Sequence, residues 1–152
     1  MRRGSFALAG LILLALLSAR ASAAKIQWYH NAEKAAEAMQ ATGKPLLLFV
    51  GSEHCQFCRK MKRTTWANKA IADYVNRGFI PLMIDADEAP ELVKHLEIKA
   101  LPTTIAVSPE GKVLDRVKGY MPPRKFGQHL TATIRAQQSV ASRPNSSRSS
   151  RR

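Results

Sequence analysis

The chain holds two cysteines, three residues apart, in the stretch Glu53-His54-Cys55-Gln56-Phe57-Cys58-Arg59-Lys60. If Cys55 opens a helix, one turn of rise brings the two Cα atoms within about 5 Å of each other. That separation lets a disulfide close without backbone movement, so the pair can cycle between dithiol and disulfide. A purely structural disulfide is a poor reading, because a loop this short cannot staple a fold. Zinc would need two more donors. His54 is adjacent, but His30, His95 and His129 are scattered and none stands at paired spacing, so no metal site is assigned. The expected redox group is the Cys55–Cys58 disulfide itself, with no separate cofactor.

Such a pair has to be held by a strand and a helix, and the flanking sequence supplies both. Leu46 to Val50 is an unbroken apolar run, as expected of a central strand buried on both faces. A buried strand, a short loop and a helix start are where open α/β sheets place their sites. Upstream, Lys25 to Tyr29 reads as a short strand. Asn31 caps a helix over 32–41 that Gly43 ends and Pro45 cannot continue. Downstream, a helix runs from Cys55 to about Thr65, and Asn68 caps a second over 69–77. Phe79 to Ile84 is another apolar strand. Asp85-Ala86-Asp87-Glu88 then leads into a short helix, Pro90 to Leu96. These acids suit a helix start and lack the glycine and terminal Glu of a calcium loop. Thr103 to Val107 and Val113 to Val117 form a hairpin about Pro109-Glu110-Gly111. A final amphipathic helix, 124–137, places Phe126, Leu130 and Ile134 on one face. The order β-α-β-α-α-β-α-β-β-α implies an α/β fold: a mixed sheet with a parallel half and an antiparallel hairpin.

Length and charge bound what this domain can be. With 152 residues there is room for one domain. The formal charge of +13 belongs mostly to the ends, because residues 25–134 carry 16 Lys/Arg against 11 Asp/Glu. A body of that balance is ordinary for a soluble domain. No nucleic-acid recognition module is recognisable, so no nucleic-acid partner is expected. Residues 1–23 read as a cleaved signal peptide: Arg2-Arg3, an apolar run from Phe6 to Leu17, and Ala21-Ser22-Ala23 at the cleavage site. That apolar run is twelve residues, against about 20 for a spanning helix, so no stable membrane span is expected after cleavage. The domain is then 24–137, followed by a Ser/Arg tail, 138–152, with too little apolar surface to order. Export implies a periplasmic or secreted location, where disulfides persist.

This order, with Cys-x-x-Cys after a buried strand and Leu101-Pro102-Thr103 before the hairpin, resembles the thioredoxin superfamily over roughly Ile26 to Arg135. Gly119-Tyr120 followed by Phe126 and Leu130 is similar to the ending of small exported thioredoxin-like proteins. It is similar also to the electron-delivering C-terminal domains of transmembrane thiol reductases. The resemblance implies a three-layer α/β/α fold and thiol–disulfide exchange with protein thiols and disulfides, fed by an upstream thiol redox partner. It makes Cys55 the attacking thiol and Cys58 the resolving one. It makes Pro102 a cis-proline beside the pair, with Leu101 and Thr103 completing a substrate-binding segment. His54, Gln56 and Phe57 become the residues that tune the pair.

Physical reasoning agrees. A Cys55 thiolate would face a helix N-terminus; Arg59, Lys60, Lys62 and Arg63 add positive potential, and Glu53 opposes it. Two departures stand out. Thioredoxins proper carry a buried Asp six residues before the first Cys, where this chain has Phe49, and a Trp immediately before it, where this chain has His54. Gln56-Phe57 matches neither the Gly-Pro of reducing members nor the Pro-His of oxidising ones, so direction is not readable. The alternative function is a redox-sensing or binding module of the same fold without turnover.

Overall fold

The computed structural model describes residues 25–141; the expected signal segment and the residues beyond Ala141 lie outside them. Five helices and four strands follow in order: α1 (Ala32–Thr42), β1 (Leu46–Gly51), α2 (Gln56–Thr64), α3 (Lys69–Gly78), β2 (Ile80–Asp85), α4 (Pro90–His95), β3 (Thr103–Val107), β4 (Val113–Lys118) and α5 (Pro123–Ala141). The sheet order is β2-β1-β3-β4. β1 runs parallel to β2, with Leu48 opposite Leu82, and antiparallel to β3, with Leu48 opposite Ile105. β3 and β4 form the antiparallel hairpin.

Alternation along β1 explains why its whole run is apolar. Leu47 and Phe49 enter a core with Met61, Trp66, Ile71, Val75, Phe126 and Leu130, beneath α2, α3 and α5. Leu48 and Val50 enter the opposite core with Ala35, Met39, Leu82 and Ile105, beneath α1 and α4. Both faces of the strand are covered, so no position on it can be polar. The architecture is three layers, helices on either side of a mixed sheet, as expected.

Helix ends follow the capping residues. The side chains of Asn31 and Asn68 accept the N–H groups of Lys34 and Ile71, and Gly43 closes α1 at a φ of 66°. Three local expectations are corrected. Lys25 to Tyr29 makes only an isolated bridge to β2, Tyr29 opposite Leu82. Two more of its backbone groups pair with Asn76 on α3, which accepts from the Gln27 N–H at 3.0 Å and donates to the Lys25 carbonyl at 2.9 Å. The acids before α4 do not cap it: Ala89 occupies the cap, and the Asp85 carboxylate accepts the Asp87 N–H within the preceding turn. The last helix runs to Ala141, past the expected boundary at Gln137. Among the described residues no helix is long and apolar enough to cross a membrane.

Candidate redox site

β1 ends at Gly51 and the chain turns through Ser52 to Cys55, which is the N-cap of α2. Cap residues hold extended backbone angles and offer a side-chain acceptor to the first free N–H groups. Here the acceptor is sulfur: Cys55 has φ −80° and ψ 111°, and its Sγ accepts the Cys58 N–H at 3.0 Å. An anion on that sulfur is favoured by this hydrogen bond and by the helix dipole together. Cys55 and Cys58 are joined as a disulfide with Cα atoms 5.2 Å apart.

The two sulfurs occupy different surroundings. Cys55 is half-buried at the surface, whereas Cys58 is 0% exposed in the aromatic core. Beneath it lies Phe49, whose ring meets Trp28 at 6.2 Å and Trp66 at 5.5 Å, with Trp66 edge-on to Phe126 at 4.9 Å. Both tryptophans therefore pack, and the position that carries an acid in thioredoxins proper is the centre of an apolar floor. Gly51 completes it. A Cβ on Gly51 would stand 3.2 Å from the Cys58 Sγ and 3.1 Å from two Phe49 ring atoms. Sequence reasoning missed this residue; a glycine closing a buried strand is the signal of such close approach.

Leu101-Pro102 is a cis peptide. The antiparallel register, Val50 opposite Thr103, brings this segment to the end of β1 from which the Cys55 loop departs. Pro102 and Thr103 are buried and Leu101 is half-buried. The Thr103 hydroxyl donates to the Ala100 carbonyl at 2.7 Å, fixing the turn. Outside the helices and strands, neither the N–H nor the C=O of Leu101 enters a backbone hydrogen bond among the described residues.

A third segment closes the surface. The Gly119 N–H donates to the Pro102 carbonyl at 2.7 Å. The buried Thr65 hydroxyl donates to the Met121 carbonyl at 2.6 Å. Between them Tyr120 lies against α2, with the Lys60 ammonium 4.4 Å from its ring centroid and the Thr64 hydroxyl 3.3 Å from its own. Tyr120 was not singled out as a site residue from the sequence, since only folding brings it to α2.

The charges are arranged less simply than their spacing suggests. Lys62 pairs with Glu53 at 2.5 Å. That hydrogen bond, then the charge of Lys62, holds the Glu53 carboxyl below its ordinary value. The Arg59 guanidinium donates to the Glu53 carbonyl. One of the four expected cations is thus neutralised and another is anchored. His54 and Gln56 are exposed, and Phe57 is 55% exposed. Among the described residues no three His, Cys, Asp or Glu side chains cluster to hold a metal. A cavity of about 910 Å³ between α3 and α5 lies away from the cysteines. A smaller one of about 410 Å³ abuts Gly51, Phe49 and the Glu53–Lys62 pair.

Comparison with known proteins agrees with this geometry. The sequence pattern described as a thioredoxin-like domain matches residues 32–134. The thiol:disulfide interchange protein DsbD of Escherichia coli (strain K12) is 30% identical over 100 residues, 60% of this chain and 17% of that protein. Spermatogenesis-associated protein 20 of Rattus norvegicus is 29% identical over 69 residues, 45% of this chain and 9% of that protein. The chain thus spans only a small part of the length of these relatives. Among solved structures, a thioredoxin from Thermus thermophilus superposes with a TM-score of 0.66 at 23% identity, over 72% of this chain and 88% of that one. With the pattern covering most of the described residues and the three-layer fold in place, the chain belongs to the thioredoxin-like domain family.

Proposed function

We propose that this chain is an exported thiol–disulfide oxidoreductase acting on protein cysteines through Cys55 and Cys58. The observation that carries the reading is the asymmetry of the pair. Cys55 is reachable and its sulfur accepts a helix N–H, while Cys58 is fully buried one turn further on. In the reducing direction the Cys55 thiolate attacks one sulfur of a substrate disulfide. A new S–S bond forms to Cys55, the substrate bond breaks, and the departing sulfur leaves as a thiolate that takes a proton. Cys58 then loses its proton and attacks the Cys55 sulfur. The Cys55–Cys58 disulfide forms and the second substrate sulfur departs as thiolate. Two electrons pass to the substrate, and an upstream dithiol partner restores the reduced pair; run backwards, the same steps oxidise a substrate.

Leu101, Pro102 and Thr103 form the segment on which an extended substrate backbone pairs, the free N–H and C=O of Leu101 supplying the hydrogen bonds. His54, Gln56 and Phe57 are the chain neighbours of the two cysteines and tune the attacking thiol. Similarity to a thiol:disulfide interchange protein supports the activity. The basic start, apolar run and small-residue site of residues 1–23 support export to a periplasmic or secreted location.

Trapping tests the scheme. Cys58→Ser should accumulate a mixed disulfide between Cys55 and a model protein substrate, resolvable by dithiothreitol, while Cys55→Ser should form none. Full exchange activity in Cys55→Ser sinks the proposal. Fractionating cells that express the full chain tests export, and recovery wholly with the cytosol counts against it.

A further inference from the structure

We infer that the surface around Cys55 selects polypeptide segments in which the reacting cysteine has an apolar neighbour and acidic flanking residues. This rests on the exchange reading above and names its substrate class. Two features of the surface carry it. Phe57 and Val113 are the exposed large hydrophobic side chains among the described residues, and Phe57 sits between the two cysteines with more than half of its surface in solvent. Beside it, Gln56, Arg59, Lys60 and Arg63 fall at i, i+3, i+4 and i+7 of α2 and are all exposed, so they form one polar stripe leading away from Cys55.

Three of those four residues are cations, and none forms an ion pair among the described residues, since Glu53 is held by Lys62. The Arg59 guanidinium donates to the Glu53 carbonyl and its charge also helps to hold the Glu53 carboxyl low, while Lys60 lies over the Tyr120 ring. Arg63 stands in the last turn of α2, where the helix dipole favours a cation, whereas Arg59 and Lys60 lie in the middle of the helix and gain little from it. Arg59 and Arg63 repel at i, i+4. The exposed cations of the stripe are therefore placed where an anionic partner can reach them. Tyr120 flanks it, and the Gly119 bond to Pro102 joins it to the segment that would hold a substrate strand. Phe57 adds an apolar contact that a purely ionic partner would not use. An acidic peptide with an apolar residue beside its cysteine complements both features.

The test compares three peptide disulfides in turnover by the full chain: Glu-Leu-Cys-Glu, Lys-Leu-Cys-Lys and Glu-Ser-Cys-Glu. At low ionic strength kcat/KM for the acidic peptide should exceed that for the basic one by about tenfold, and the ratio should fall towards one in high salt. The double variant Arg59→Glu/Lys60→Glu should invert the charge preference, and Phe57→Ser should abolish the preference for Leu over Ser. Each variant is scored by its own ratio, so changes in the Cys55 thiolate fraction cancel. A ratio near one at low salt, or one unchanged in the double variant, overturns the inference. So does tight binding of duplex DNA with no discrimination among peptides. Uncharged bis(2-hydroxyethyl) disulfide separates the two readings. No turnover of it or of any of the three peptides defeats the exchange chemistry itself, whereas turnover without discrimination among the peptides defeats only the substrate class.

Discussion

Replacing Gly51 by Ala is the sharpest perturbation of the apolar floor. The backbone of Gly51 is not in the left-handed region, so the effect is steric: the new methyl would stand 3.2 Å from the Cys58 Sγ and 3.1 Å from two atoms of the Phe49 ring. Both neighbours are completely buried and each must yield by a few tenths of an ångström. Overpacking of this kind costs about 1–3 kcal/mol, against a gain of about 0.4–1 kcal/mol from restricting the unfolded chain. The oxidised protein should therefore lose about 1 kcal/mol in urea denaturation, with its m-value unchanged. In the dithiol form the Cys58 sulfur is free to turn away from the methyl, so the loss should be smaller there. If the whole difference falls on the disulfide form, the pair becomes more oxidising by about 20 mV, since 30 mV corresponds to about 1.4 kcal/mol. Melts of both redox forms, with equilibration against a glutathione series, read both numbers. Equal or greater stability of Gly51→Ala in the oxidised form would refute the close packing of Gly51 on Cys58.

Two further perturbations probe the surroundings of the pair. Glu53→Gln releases Lys62 beside Cys55, so reduced Cys55 should alkylate faster than in the parent at the same pH, which mass spectrometry of the labelled protein can follow. Because the Glu53 carboxyl is held below its ordinary value of 4.5, its contribution to stability is present above that value and lost as pH falls through the folded pKa. The stability difference between parent and Glu53→Gln should shrink over that acidic window in thermal melts at stepped pH. Thr65→Val removes the donor to the Met121 carbonyl and should cost about 1–3 kcal/mol by leaving a partly buried acceptor unpaired; a chemical melt indistinguishable from the parent would show that the bond does not anchor the Tyr120 segment.

Much of this arrangement was legible because local signals coincide with global ones. Leu46 to Val50 had to be a strand buried on both faces, and the paired cores around Leu47/Phe49 and Leu48/Val50 show why. Asn31, Gly43 and Asn68 marked helix ends through chemistry that acts within a few residues. What escaped depends on partners distant in sequence. Lys25 to Tyr29 has the alternation of a strand, with Ile26 and Trp28 turned into one core. Asn76, on a helix 49 residues from Gln27, captures the backbone groups that a ladder would use. In the same way, nothing in the run of cations after Cys58 says that Lys62 reaches back to Glu53 while Lys60 covers a tyrosine from the far end of the hairpin. The cysteines, the Leu101-Pro102-Thr103 segment and Phe49 were readable as residues. Their division into one reachable and one buried sulfur needed the fold.

That division is tested most directly by the rate of alkylation of the reduced protein as a function of pH, with the modified cysteine identified by mass spectrometry. The expected result is selective labelling of Cys55, with an apparent pKa clearly below the ordinary thiol value of about 8.5, while Cys58 stays protected in the folded protein. Labelling of both cysteines at similar rates, or an apparent Cys55 pKa at or above about 8.5, would contradict an attacking thiolate at the cap of α2 and favour a pair that only reports oxidation.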